Sequence, residues 1–265
     1  MESISRRQSL GAWALERLYP DTCESRPIHR LVAVANSVLC AVLFAQIVGQ
    51  IAQLPNPGVR TLAALGALLA AALGASLADF LSGMIHFYLD NYPRPETPVV
   101  GRMAAEFQKH HDRMSDLLLQ EAANVTYPTG QASFFGLLAL ALWDPPFLFT
   151  SLALVAVAGL YLSQLFHQWA HHPPGESSAP RFARWLQRHG VLISFDRHVP
   201  PHHLSPWDKS YTIVSGRWND FLDATCFWRR LERILFERLG WEPNSWKLSD
   251  EVRSLALSTK PTPRS

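Results

Sequence analysis

Charged residues are scarce in this sequence. Asp, Glu, Lys and Arg make up 17% of its 265 residues, whereas about a quarter is usual in a soluble domain. Hydrophobic residues make up 48%, which excludes a disordered chain, because disorder requires few apolar and many charged residues. The formal net charge is only +2, so the composition gives no reason to expect a nucleic-acid partner.

Cysteine and the common nucleotide and hydrolase motifs are also missing. The three cysteines, Cys23, Cys40 and Cys226, are odd in number and widely spaced, and no C-x-x-C pair occurs. A disulfide scaffold is therefore excluded. The sequence contains no G-x-S-x-G, no G-x-G-x-x-G and no P-loop lysine pattern, so its chemistry must depend on other residues.

The missing charges leave four long apolar stretches. An α-helix rises 1.5 Å per residue, so about 20 apolar residues cross the hydrocarbon core of a bilayer. Four buried helices of a soluble protein are the alternative, but such helices usually keep a polar stripe. We therefore predict an all-α, multi-pass membrane protein with about four transmembrane helices, at about 31–54, 61–89, 125–143 and 145–167.

The distribution of Lys and Arg predicts the orientation of these spans. The five segments outside the spans carry 5, 1, 4, 0 and 14 of these residues in chain order. Because positive residues concentrate in cytoplasmic loops, both termini and the segment 90–124 are expected on the cytoplasmic side. Residues 1–30 lack the apolar core of a signal peptide, so we expect a cytoplasmic tail (1–30), one membrane domain (31–247) and a second tail (248–265). Twenty arginines against four lysines favour a bacterial source and hence the inner membrane.

Histidine, by contrast, is abundant and clustered. Of the eleven histidines, His29 and His189 stand alone, and we interpret them as surface or structural residues. The other nine all fall on the side that is predicted to be cytoplasmic, so two independent patterns indicate the same membrane face. These nine are His86, His110, His111, His167, His171, His172, His198, His202 and His203.

The spacing of these histidines is typical of metal ligands. His167 and His171 are four residues apart and share one helix face, as do His86 and Asp90. A carboxylate on that face, from Asp79 or Asp90, is suited to orienting an imidazole through its second ring nitrogen. His110 and His111 are adjacent, and their side chains point about 100° apart on a helix, which suits a site between two metal ions.

Imidazole-rich ligation favours iron, zinc, copper or nickel over magnesium or calcium. One zinc ion takes three or four ligands, so eight or nine histidines are too many for a single ion and suit two. Two nitrogen-ligated metals at a bilayer surface favour non-haem di-iron oxygen chemistry.

The order of these motifs resembles that of a known family. It is carried by Asp79–His86 with Asp90, by His110 and His111 with Asn124 thirteen residues on, by His167 and His171, and by the cluster 198–203. The chain is similar over about 78–247 to the membrane lipid desaturases. That family includes plasmanylethanolamine desaturase, the carotenoid-regulator desaturase of myxobacteria and the plant plastid desaturase of phosphatidylglycerol palmitate.

The resemblance implies an O2-dependent oxidoreductase that desaturates an alkyl-ether or acyl chain of a phospholipid, most nearly a plasmanylethanolamine desaturase that forms a vinyl ether. It implies iron, and electrons from a separate ferredoxin or cytochrome b5 type donor. Asp79, Asp90 and Asn124 would support the ligands, and His172 is a candidate extra ligand. The implied iron ligands are His86, His110, His111, His167, His171, His198, His202 and His203.

One motif departs from the family. Its last motif is usually H-x-x-H-H, whereas this chain has one residue more, in His198-Val-Pro-Pro-His202-His203. Two successive prolines fix φ and remove two N–H donors, so we predict an extended, stiff loop here.

Two other function classes remain open. A hydroxylase with the same metals would differ only in the fate of the substrate after hydrogen abstraction. A non-enzymatic metal binder or transporter is disfavoured, because a transport pathway needs ionisable residues within the spans and Asp79 is the only charged one there.

Overall fold

All regular structure in the described part of the chain is helical. The computed structural model describes residues 23–175, 179–203, 208–247 and 250–257, and no strand occurs within them. The prediction of an all-α protein is confirmed for these residues. Most of the two predicted tails, up to residue 22 and from residue 258, lies outside the described residues.

The helices are numbered here in chain order, and a 3-10 turn at Asn244–Lys247 precedes the last of them. They are α1 (Pro27–Ala52), α2 (Pro57–Asn91), α3 (Gly101–Asp112), α4 (Met114–Leu118), α5 (Ala122–Val125), α6 (Tyr127–Trp143), α7 (Phe147–Ala170), α8 (Arg181–Arg188), α9 (Phe195–His202), α10 (Arg217–Ala224), α11 (Phe227–Leu239) and α12 (Asp250–Leu257).

Three of these helices, α1, α2 and α7, are long and apolar enough to cross a membrane. They correspond to the first, second and fourth predicted spans. The predicted third span forms α6, which has 17 residues and a length of about 26 Å at 1.5 Å per residue. Helix α6 ends at Trp143. The next residue, Asp144, has a left-handed φ of 49°, and two prolines then precede α7. The predicted break between the last two apolar stretches therefore lies where the sequence placed it.

Polar side chains of α1 tie it to α6. Asn36 is fully buried, and its Nδ2 donates to the carbonyl oxygens of Val32 (2.9 Å) and Gly130 (3.0 Å). Nearer the C-terminal end of α1, Gln46 Nε2 donates to Ala141 O at 3.1 Å. Because an amide in an apolar region is costly without a partner, these bonds fix α1 against α6.

Small residues let α2 and α7 cross closely. This pair makes the most extensive helix contact in the described part of the chain. A Cβ on Gly74 would meet the backbone carbonyl of Leu152, and a Cβ on Gly159 would lie 2.7 Å from Ala78 Cβ. The close approach matters for the site because His86 lies near the end of α2 and His167 near the end of α7.

A layer of short helices, α9 to α11, covers the same end of α2. Phe87 of α2 packs in one buried cluster with Tyr211, Leu222 and Trp228. The cluster places the non-helical segment 209–216 directly beside the last turns of α2.

Candidate metal centre

The clustered histidines converge at one end of α2 and α7. Two groups, each of four ligand atoms within 4.8 Å of one another, form there. His198 forms a further, overlapping set with His202 and His203. The four-histidine group contains His110, His167, His171 and His203, and the aspartate group contains His86, Asp90, His111 and His202.

Helix α9 brings two of these histidines together where the sequence predicted an extended loop. That prediction is wrong, because Pro200 and Pro201 lie inside the helix. The fixed φ of proline, near −65°, is compatible with an α-helix, and only the N–H donors are lost. Residues four apart share a helix face, so the additional residue of this motif aligns His198 with His202, and their rings stack with centroids 4.9 Å apart.

Backbone carbonyls orient three of the imidazoles. The Nδ1 atoms of His202, His198 and His86 lie 2.7, 3.3 and 2.9 Å from the carbonyl oxygens of Lys209, Ser210 and Tyr211. With Nδ1 donating, each ring presents Nε2 as a free electron-pair donor, which is the usual way in which a metal-binding histidine is held. Sequence reasoning missed these three acceptors, because a carbonyl acceptor requires no particular side chain.

Seven other buried ring nitrogens at this end of the protein have no hydrogen-bond partner. They include Nε2 of His86, His110, His198 and His202, Nδ1 of His167 and both nitrogens of His203. Buried polar atoms are normally paired, and so many unpaired imidazole nitrogens facing one another fit coordination to metal ions.

The local environment also favours the neutral, ligating form of these imidazoles. Burial, reinforced by neighbouring histidines, holds the pKa of His110 and of His198 well below the ordinary value. Burial is also the main cause that lowers the pKa of His203. Metal binding requires neutral imidazole, so these rings do not have to lose a proton near pH 7.

Asp90 lies among the ligand atoms and not behind one imidazole. Its Oδ2 is 3.3 Å from Nε2 of His86 and of His111, and 3.5 Å from Nε2 of His202. The expectation that Asp90 orients a ring through the second nitrogen is therefore corrected, since it faces Nε2 of His111 and the Nε2 atoms of His86 and His202 that the carbonyls leave available.

Asp79 supports the centre differently from the prediction. Its fully buried carboxylate accepts hydrogen bonds from the backbone N–H groups of residues 214, 215, 216 and 218, at 2.7 to 3.3 Å. The carboxylate does not orient an imidazole; it holds the segment whose carbonyls do.

The remaining assigned residues lie outside both groups. Asn124 Nδ2 is 3.4 Å from Gln120 Oε1. His172 lines a separate cavity with Arg184 and Asp196. Of the two lone histidines, His29 is buried against Tyr127, with ring centroids 4.3 Å apart, and His189 is exposed.

A cavity opens beside the four-histidine group. His110 and His167 form part of its wall. A cavity lined by both apolar and charged side chains fits an amphiphilic molecule. Its apolar lining includes Met103, Phe107, Leu117, Val125 and Pro128, and its charged lining includes Glu106, Lys109 and Asp116.

Comparison with known proteins gives consistent matches. Residues 75–246 match the family described as the lipid desaturase domain. The chain is 37% identical over 169 residues to fatty acid desaturase 4-like 1, chloroplastic, of Arabidopsis thaliana, covering 64% of this chain and 56% of that protein. It is 28% identical over 202 residues to the plasmanylethanolamine desaturase of Myxococcus xanthus, covering 72% of this chain and 69% of that protein.

A mammalian relative is more distant. Plasmanylethanolamine desaturase 1 of Mus musculus is 27% identical over 187 residues, covering 64% of this chain and 65% of that protein. The chain thus spans little more than half the length of the plant relative that it matches. No solved structure is significantly similar to it.

Proposed function

Because this chain belongs to the lipid desaturase family, we propose that it is an oxidoreductase that removes two hydrogens from a hydrocarbon chain of a membrane phospholipid. One observation carries the proposal: two groups of buried or half-buried ligand atoms lie at the end of two helices long enough to cross a membrane, and a partly apolar cavity adjoins the four-histidine group. A chain drawn from the bilayer would reach the ligand atoms through this cavity.

We propose that the centre holds two iron ions. The four-histidine group would hold one ion, the aspartate group the other, and His198 would lie between them. Asp90 is thereby proposed as a ligand in addition to the eight histidines. Iron supplies the one-electron and dioxygen chemistry that acidic and basic side chains lack.

The protein's own part is to hold the rings, to exclude water and to align the substrate. The carbonyls of residues 209–211 fix three rings before any metal binds, so little reorganisation is required. The apolar wall at Met103, Phe107 and Leu117 would fix how far the chain enters and hence which carbons face the centre. An error of about 1 Å in the position of the substrate chain relative to the centre costs on the order of 100-fold in rate.

We propose four spans, with α6 as the short third one. The hydrogen bonds from Asn36 and Gln46 to α6 support this arrangement, because they satisfy amides that would otherwise face lipid. The uneven distribution of Lys and Arg supports placing both termini and the centre on the cytoplasmic side. We propose that residues 31–247 form one membrane domain. The excess of arginine over lysine supports a bacterial inner membrane.

For the substrate, we propose an alkyl-ether phospholipid that is converted to a vinyl ether, as in the relatives named plasmanylethanolamine desaturase. An acyl lipid is the second candidate, favoured by the greater identity to the plant fatty acid desaturases. Dioxygen and a separate ferredoxin or cytochrome b5 type donor would complete the reaction.

Lipid analysis of an expressing bacterium tests the proposal. Cells that contain alkyl-ether and acyl phospholipids would express the wild type, His171→Ala or the control His189→Ala, whose imidazole is exposed and remote. We expect a new vinyl ether or a new acyl double bond with wild type and control, and none with His171→Ala. Hydroxylated chains would indicate the hydroxylase instead, and unchanged lipids with an iron-loaded wild type would contradict the proposal.

A further inference from the structure

We propose that Asp223, acting through Ser210, is a positioning residue for three histidines of the metal centre. This inference rests on the metal centre proposed above. Asp223 belongs to neither group of ligand atoms. Within the described residues, the hydrogen bonds of its carboxylate connect it to the centre through Ser210.

The first step concerns the direction of the three carbonyls. In an ordinary extended chain, successive carbonyls point to alternate sides. Here those of Lys209, Ser210 and Tyr211 all meet imidazole Nδ1 atoms of one cluster. The backbone must therefore depart from an extended course between Lys209 and Tyr211.

Ser210 provides that departure. Its φ is 57°, in the left-handed region that L-residues other than glycine, asparagine and aspartate seldom adopt. Ser210 is also buried, with 4% of its surface exposed, so its N–H and hydroxyl groups need partners within the protein. A serine in this conformation therefore requires support from its surroundings.

Asp223 gives this support from α10. The N–H of Ser210 donates to both carboxylate oxygens, at 3.3 and 3.2 Å, and its hydroxyl donates to Oδ2 at 3.3 Å. Hydrogen bonds to an ionised acceptor are stronger than those between neutral groups. One side chain thus satisfies both donors of the left-handed residue.

The rest of the segment is held independently. Asp79 binds the N–H groups of residues 214–216, and Asn219 makes two hydrogen bonds to the backbone of Thr212. Losing the Asp223 contacts should therefore turn the carbonyls of residues 209–211 without detaching the segment. We expect a defect in metal binding with little change in folding.

The test measures Co²⁺ binding to metal-free, full-length protein in detergent by visible absorption, together with iron per chain after expression. In Asp223→Asn, one acceptor oxygen becomes an amide nitrogen that cannot accept from Ser210. We expect Co²⁺ affinity about 10- to 100-fold weaker, as for other residues that orient metal ligands. The matched control is Asp220→Asn on the same helix, which removes only an exposed ion pair with Arg197.

Rescue separates positioning from a general structural role. Glycine adopts positive φ without strain, so Ser210→Gly should keep the carbonyl directions without Asp223. We expect Asp223→Asn/Ser210→Gly to recover most of the Co²⁺ affinity, and no variant to have a metal-free thermal midpoint below that of the wild type at pH 7.5. Unchanged Co²⁺ affinity in Asp223→Asn would overturn this inference but not the proposed function. The same holds if Asp223→Asn binds Co²⁺ weakly with a lower thermal midpoint and Ser210→Gly does not restore the affinity. A wild type that binds no metal would overturn both this inference and the proposed function.

Discussion

His110 and His111 are neighbours in the chain and on helix α3, yet each contributes its ring to a different group of ligand atoms. Their ring centroids are 4.7 Å apart. A single turn of helix therefore joins the two halves of the centre and sets their separation.

Substituting these two residues one at a time should affect different ions. If each group binds one ion, His110→Ala and His111→Ala should each retain about half of the wild-type iron, because a four-ligand group that loses one ligand binds weakly. Elemental analysis of the purified variants gives the ratio of iron to protein, with His189→Ala as the control. Full iron in either variant would argue against the proposed ligand set.

A buried network of charged residues around Arg229 should make a large contribution to the free energy of unfolding. Arg229 Nε lies 3.0 Å from Asp208 Oδ2, and its Nη1 lies 3.1 Å from Oε2 of Glu232, which is fully buried. Arg229→Met would leave both carboxylates without their cation, which costs about 3–5 kcal/mol in the free energy of unfolding. Burial already raises the pKa of Glu232, so the variant should bind a proton there.

The matched control for this network is Arg233→Met. The pair of Arg233 with Glu237 is long, at 3.7 Å, and largely exposed, and such pairs contribute about 0–1 kcal/mol. Thermal or denaturant unfolding of both variants decides the matter. Equal losses of stability would show that burial of the network is unimportant.

The crossing of α2 and α7 should not tolerate a side chain at Gly74. In Gly74→Ala the new methyl group would meet the Leu152 carbonyl, and overpacking of this kind costs about 1–3 kcal/mol. Parting the helices would also separate His86 from His167, so bound iron should fall together with the thermal midpoint. Gly49→Ala on α1, with no atom within 4 Å of its new Cβ, is the control and should leave both quantities unchanged.

Asp223 should give the metal-free protein a characteristic pH dependence. Burial raises its pKa to about 6, above the value of about 3.9 for an unfolded chain. The folded state therefore holds the proton more tightly, and this contribution to stability is full below about pH 4 and is lost as the pH rises through 6. Compared with that of Asp223→Asn, the thermal midpoint of the wild type should fall between about pH 4 and 6.5, and parallel curves would contradict the raised pKa of Asp223.

The sequence predicted which histidines come together better than it predicted the groups that hold them in place. Imidazoles at i and i+4 share a face of any helix, so His167 and His171 met as expected, and adjacent histidines on α3 had to diverge. The supports could not be predicted in this way. The acceptors at residues 209–211 are backbone atoms, and their direction depends on a left-handed Ser210 that no glycine signals.

Two errors have the same origin. Asp79 shares a helix face with His86, but the backbone N–H groups of residues 214–216, far away in sequence, occupy its carboxylate. Pro200 and Pro201 favour an extended chain locally. The buried hydrogen bonds of His198 to Ser210 and of His202 to Lys209 favour a helix instead. In both cases tertiary contacts outweighed local preference.

The hydrogen bond from His86 to Tyr211 joins residues 125 positions apart, and this separation has a consequence for biosynthesis. The apolar helices up to residue 170 are synthesised before residues 209–211. A chain that ends at residue 170 carries four of the eight histidines, namely His86, His110, His111 and His167, but none of the three carbonyl acceptors. The centre therefore cannot be complete until residue 211 has been made, and a protein truncated before residue 209 should bind less iron than the full chain.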